Sequence, residues 1–183
     1  SKKNVLLFLD EIQTGLGRTG RMFAHQHHDI RPDCLTLGKA LGGGVYPVSA
    51  FLASDEIMSV FEPGDHGSTF GGNPLGAAVA MAALDVVVEE ELAERADELG
   101  AWLMEELREM GSKHVAEIRG AGLLIGIEIK ESSGPARPFC EALMGKGILC
   151  KETHQQVIRL APPLTIDKDD LEWALVRIKE VLL

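Results

Sequence analysis

The stretch Val5-Leu6-Leu7-Phe8-Leu9-Asp10-Glu11-Ile12-Gln13-Thr14-Gly15-Leu16-Gly17-Arg18-Thr19-Gly20 decides how this chain is read. Five consecutive apolar residues, Val5 to Leu9, predict a parallel strand covered on both faces, since a half-solvated strand would alternate with polar residues. The run stops at Asp10-Glu11, and residues 14–21 carry three glycines, which reads as a loop. A carboxylate at the carboxyl end of a buried strand is where open α/β sheets place ligand contacts. A chain that opens directly on a core strand is expected to share its sheet with strands from elsewhere, and so to be part of something larger.

Outward from that stretch, Cys34–Leu37 reads as a second short strand and 48–53 as a third. Ser54-Asp55-Glu56 is placed to cap a short helix running to Phe61, and 62–72 is a Gly-rich loop. Asn73 as N-cap and Pro74 in the first turn open a long helix. Residues 75–88 are nearly all Ala, Val, Met and Leu, the pattern of a helix buried on every side. From Glu89 the texture turns acidic and amphipathic, with Leu92, Leu99, Leu103 and Leu107 on or near one face. The expected organisation is therefore α/β in two parts, 1–88 and 89–183. In the second part 118–120 and 123–129 read as paired strands, 138–144 as a helix closed by Gly145, and 148–150 and 157–160 as short strands. A closing amphipathic helix runs from Asp167, its expected N-cap, to Leu183.

The totals narrow the function. A net charge of −10, with 18 basic and 28 acidic residues, argues against nucleic acid or an anionic membrane as partner. No apolar run approaches the roughly 20 residues that span a bilayer. The three cysteines, Cys34, Cys140 and Cys150, are widely spaced and make no CxxC, which suits a reducing cytosol rather than a disulfide or zinc framework. His25, His27 and His28 cluster, but lack a cysteine or second carboxylate at ligand spacing; no metal is expected there.

Three features carry chemistry. Lys39 follows a short strand, between Gly38 and Ala40 and ahead of Gly42-Gly43-Gly44. An apolar surround would favour the neutral amine, which can form an imine, and the glycines would admit a flat cofactor; the plain alternative is a surface lysine on a loop. Asp10 could hold a protonated ring nitrogen, or merely cap the loop after its strand. Gly67-Ser68-Thr69-Phe70-Gly71-Gly72-Asn73-Pro74 offers two hydroxyls and a Gly-rich backbone just before a helix, a seat suited to phosphate.

Taken together, Asp-Glu-Ile-Gln at 10–13, Lys39, and Ser-Thr-Phe-Gly-Gly-Asn-Pro at 68–74 closely resemble the class III (subgroup II) aminotransferases, fold-type I enzymes that use pyridoxal 5'-phosphate (PLP). The resemblance covers essentially the whole chain, from DEIQTGLGRTG at 10–20 to IRLAPPL at 158–164. It implies the C-terminal part of the large PLP-binding domain, 1–88, followed by the small C-terminal domain, 89–183. It implies that Lys39 carries the cofactor and moves the substrate proton. Asp10 would pair with the pyridine nitrogen, Gln13 would contact the phenolic oxygen, and Ser68 and Thr69 would bind phosphate across a homodimer. Gly44 to Ala50, Gly64 to Thr69 and Lys151 to His154 are most similar to the ornithine branch. By that likeness Arg159 lies in the active site, where it would handle a carboxylate or pair with a glutamate; read plainly, it is an arginine ending a strand. Acetylornithine and 4-aminobutyrate enzymes share the core motifs. Members of the family are about twice this length. A separate N-terminal half is therefore expected to complete the site, with an amino acid and a 2-oxo acid as the small-molecule partners; an inactive remnant or a non-enzymatic dimerising module are the alternatives.

Overall fold

The computed structural model describes residues 5–183. Two sheets organise it. In the first, β1 (Phe8–Asp10) runs parallel to β2 (Cys34–Leu37), and β3 (Ala50–Ala53) pairs antiparallel with β2 on its other side. A 3-10 turn, Lys39–Gly42, leaves the end of β2. After β3 come the single turn α1 (Asp55–Met58), the long helix α2 (Pro74–Glu89) and the helix α3 (Leu92–Glu109). The second sheet is formed by β4 (Val115–Ala121), β5 (Leu124–Ile129), β6 (Lys151–Thr153) and β7 (Val157–Leu160), in the order β4-β5-β7-β6, all antiparallel. Helix α4 (Arg137–Gly145) precedes β6, and α5 (Lys168–Leu182) closes the chain.

The larger core lies between the second sheet and its helices. Strand β5 sends Ile125, Ile127 and Ile129 inward, where they meet Leu103 and Leu107 of α3, Leu143 of α4 and Leu171, Leu175 and Ile178 of α5. The face expected on α3 forms as Leu92, Ala96, Gly100, Leu103 and Leu107, with Leu99 half-buried. A smaller core joins Leu16, Leu35, Leu37 and Leu41.

Several boundaries differ from the sequence reading. Strand β1 begins at Phe8, not Val5, because Leu7 uses its carbonyl on the amides of Asp33 and Cys34 and its amide on the Asp33 carboxylate. Among the described residues β1 pairs only with β2, and the apolar run is not covered on both faces: Val5 is 66% and Phe8 57% exposed. Helix α2 buries only Gly76 and Val87, since it packs against the 3-10 turn and α3 along one side; Met81 remains 66% exposed. Asn73 caps α2 as expected, its side-chain oxygen accepting from Gly76 N at 2.8 Å. Ser54 and Asp167 occupy N-cap positions without side-chain caps; Asp167 instead accepts from Arg95 at 3.1 Å. The strand expected at 148–150 lies at Lys151–Thr153, because the Ile148 amide is taken up closing α4 on Leu143 O.

Candidate functional site

Parallel pairing of β1 with β2 aligns Asp10 with Thr36 at the carboxyl ends of both strands. Asp10 Oδ1 accepts from the amide of Ile12 at 2.9 Å and from the Thr36 hydroxyl at 3.4 Å, which holds the carboxylate where the strands end. Lys39 emerges three residues past Thr36, so the two groups named by sequence sit on neighbouring strand ends. Its φ is +46°, a left-handed conformation that is costly for a residue with a Cβ, by about 1–3 kcal/mol, and that clusters at ligand sites. Leu41 N donates to Gly38 O and starts the 3-10 turn behind it. Lys39 is exposed and its side chain makes no hydrogen bond or ion pair with a described residue. Exposed as it is, Lys39 has no apolar enclosure among the described residues.

Gln13 and Arg159 are 146 residues apart in sequence (159 − 13) and line one cleft of about 480 Å³. Thr14 and Thr19 join Gln13 on one side; Arg119, Gly126 and His154 join Arg159 on the other. The loop after β1 is thereby set against the open face of the second sheet. Ser68 and Thr69 lie outside this cleft, in the wholly exposed 61–72 segment, where Ser68 Oγ accepts from Gly71 N at 2.9 Å.

A residue that sequence reasoning passed over anchors this loop. Glu11, 3% exposed, accepts from the amides of Ala24 and His25, from the Thr14 hydroxyl and from His25 Nδ1, at 2.7–3.0 Å. Burial pushes its carboxyl up, but the hydrogen bonds outweigh that and hold it below the ordinary glutamate value. Arg18 then ties the loop to the second sheet, donating to Leu123 O at 3.1 Å and Pro162 O at 2.5 Å. Only the Asp-Glu pair at the strand end hinted at Glu11; its partners lie 13 and 14 residues on. The histidine cluster is explained here as well: His25 faces Glu11, and His27 Nε2 lies 2.9 Å from Thr19 O. Among the described residues no group of three or more His, Cys, Asp or Glu side chains is arranged to hold a metal ion.

The carboxyl ends of β1 and β2 thus carry a fixed carboxylate, Asp10, and, just past β2, an exposed lysine, Lys39, with Gln13 in the loop that follows Asp10. The chain belongs to the class-III aminotransferase family, whose sequence profile matches residues 1–182. It is 59% identical over 179 residues to an ornithine aminotransferase of Brevibacillus brevis, a match that covers 98% of this chain and 44% of that protein. Identity to an ornithine aminotransferase of Bacillus cereus is 58% over 181 residues, covering 99% of this chain and 45% of the other. Among solved structures it is similar to the ornithine delta-aminotransferase of Plasmodium falciparum, with a TM-score of 0.95, 45% identity, and coverage of 99% of this chain and 47% of that one. An acetylornithine aminotransferase from Elizabethkingia anophelis matches with a TM-score of 0.92 and 48% identity, over 99% and 46% of the two chains. The fold is thus the α/β fold of the PLP-dependent aminotransferases, and the chain spans a little under half the length of the curated relatives it matches.

Proposed function

We propose that this chain is the C-terminal half of an ornithine aminotransferase. In this reading it moves the δ-amino group of ornithine to 2-oxoglutarate, giving glutamate 5-semialdehyde and glutamate, once assembled with an N-terminal half and a second copy. The observation that carries the reading is the placement of Asp10 and Lys39 on adjacent strand ends. The donor set fits PLP: a primary amine with no partner among the described residues, and a carboxylate fixed by backbone with one oxygen still open. Bound there, PLP supplies an electron sink that lets a substrate C–H bond ionise.

The chain's own groups do the rest. Asp10 keeps the proton on the ring nitrogen by charge. Gln13 donates to the ring oxygen from the cleft it shares with Arg159. Lys39 Nζ holds the cofactor in the resting enzyme and later takes and returns the substrate proton. Arg159 takes a substrate carboxylate, with two parallel N–H donors available to it. Ser68 and Thr69 present hydroxyls from the exposed 61–72 segment to the phosphate of a cofactor held mainly by a second subunit. The division at 88/89 fits the two sheets and their separate cores. A cytosolic setting fits three free cysteines, and among the described residues no helix is long and apolar enough to cross a membrane. Similarity to an acetylornithine aminotransferase keeps that donor as the second reading.

Borohydride reduction of the chain with PLP, followed by peptide mass spectrometry, tests the assignment. Selective labelling of Lys39 is expected, and with the N-terminal half supplied Lys39→Ala abolishes ornithine turnover while leaving the circular dichroism unchanged. Turnover retained in Lys39→Ala would sink the proposal.

A further inference from the structure

The open face of the second sheet carries an ion-pair arrangement that the assignment of Arg159 does not use. Strand β5 turns its isoleucines inward and leaves Gly126 and Glu128 on the open side. Gly126 stands opposite Arg119 on β4 and opposite Arg159 on β7. Directly paired residues project to the same face, so two arginines flank a position with no side chain. Glu128 stands opposite Glu117 and Val157, and is therefore diagonal to both Arg119 and Arg159. Diagonal sites are roughly 7–8 Å apart, within reach of long side chains. One carboxylate thus has two guanidinium groups to choose from.

It goes to Arg119. The Arg119 guanidinium contacts both Glu128 and Glu117, the latter at 2.7 Å, and hydrogen bonding to Glu128 foremost raises its pKa above the usual value. The Arg159 guanidinium makes no hydrogen bond or ion pair with any described residue. Its other cross-strand neighbour is Lys151, a second cation.

We propose that Arg119 is a positioning residue: by bridging Glu117 and Glu128 it keeps Glu128 off Arg159 and leaves that guanidinium open to the carboxylate of a substrate. This rests on the reading of Arg159 given above. The physical reason is like-charge repulsion. Glu117 and Glu128 are directly opposed, a destabilising pair that only a shared cation makes tolerable. Remove Arg119, and Glu128 turns from Glu117 toward the remaining arginine in reach.

Phenylglyoxal modification of the chain, followed residue by residue by mass spectrometry, reads the accessibility of Arg159 directly. Arg119→Gln is expected to slow modification of Arg159 by roughly two- to fivefold, the range set by ion pairs of this exposure. Adding Glu128→Gln restores the rate, Arg119→Lys keeps it near that of the parent, and Arg31, on the first sheet's side of the molecule, stays unchanged throughout. Should Arg119→Gln not fold, Arg119→Met keeps the packing of the stem and gives the same comparison. An unchanged Arg159 rate, or slowing that persists after Glu128→Gln, overturns the proposal. Labelling of Lys39 is a separate readout, so failure of the cofactor assignment and failure of this one are told apart.

Discussion

A carboxylate as deeply buried as Glu11 would ordinarily take up a proton, yet its hydrogen bonds hold the charged form. Its pKa in the folded chain lies below the unfolded value. The stabilisation is therefore present above the ordinary glutamate value of 4.5 and is lost as the pH falls through the lower folded value. Glu11→Gln replaces a charged acceptor of two backbone amides with a neutral one and should cost about 1–3 kcal/mol near neutrality. Urea unfolding of parent and variant at about pH 7 and about pH 4 checks this, with the difference shrinking at the acid end. An equal difference at both would mean that the charge of Glu11 contributes nothing. Lys39 is one of six non-glycine residues with positive φ among the described residues; its left-handed backbone is tolerated where Gly38 and the 3-10 turn over-determine it.

At the scale of elements, the join between the loop after β1 and the second sheet depends on three glycines. A Cβ at Gly100 of α3 would stand 2.0 Å from Gly122 O, and one at Gly122 would stand 2.5 Å from Gly20 N. The helix, the β4–β5 turn and the loop therefore touch backbone to backbone. Gly100→Ala should destabilise by about 3 kcal/mol or more, because backbone rather than a flexible side chain must move. It should also open the cleft, since Gln13 and Arg159 sit on opposite sides of this join. Thermal unfolding and the phenylglyoxal rate of Arg159 together test it; a variant with unchanged Tm and unchanged rate would show that the join is not tight. The same contact explains why Arg18 can reach Leu123 O and Pro162 O.

At the scale of the whole molecule, exposed apolar residues are frequent on the first sheet and on α2, although others, Leu149 and Val176 among them, lie in the second part of the chain. Val5, Leu6 and Phe8, with Phe51, Leu75 and Met81, leave water in contact with surface that a solitary domain would bury. Among the described residues no strand pairs with the second edge of β1, which leaves a template for another strand. The chain alone is expected to self-associate, and to form a defined complex when the N-terminal half is supplied. Analytical ultracentrifugation distinguishes these states; a compact, concentration-independent monomer would count against the proposed assembly.

Local features whose signals are contiguous were legible in the order of residues. The helix starting at Asn73-Pro74, the acidic amphipathic stretch that became α3, the strand read at 123–129 that became β5, and the combination of 10–13, Lys39 and 68–74 that marked the family could all be read directly. Each rests on spacing along the chain: a cap, a period, a strand end. What only the tertiary structure decided is who meets whom. Nothing in the order of residues says that Glu11 gathers Ala24 and His25, that Gln13 and Arg159 share a cleft, or that Glu128 has two arginines in reach and takes one. Nor could the apolar runs at 5–9 and 75–88 say whether this chain covers them itself. Burial is a property of the assembled surface, and a carboxylate's choice of partner is set by cross-strand register and like-charge repulsion, which exist only once the sheet has formed.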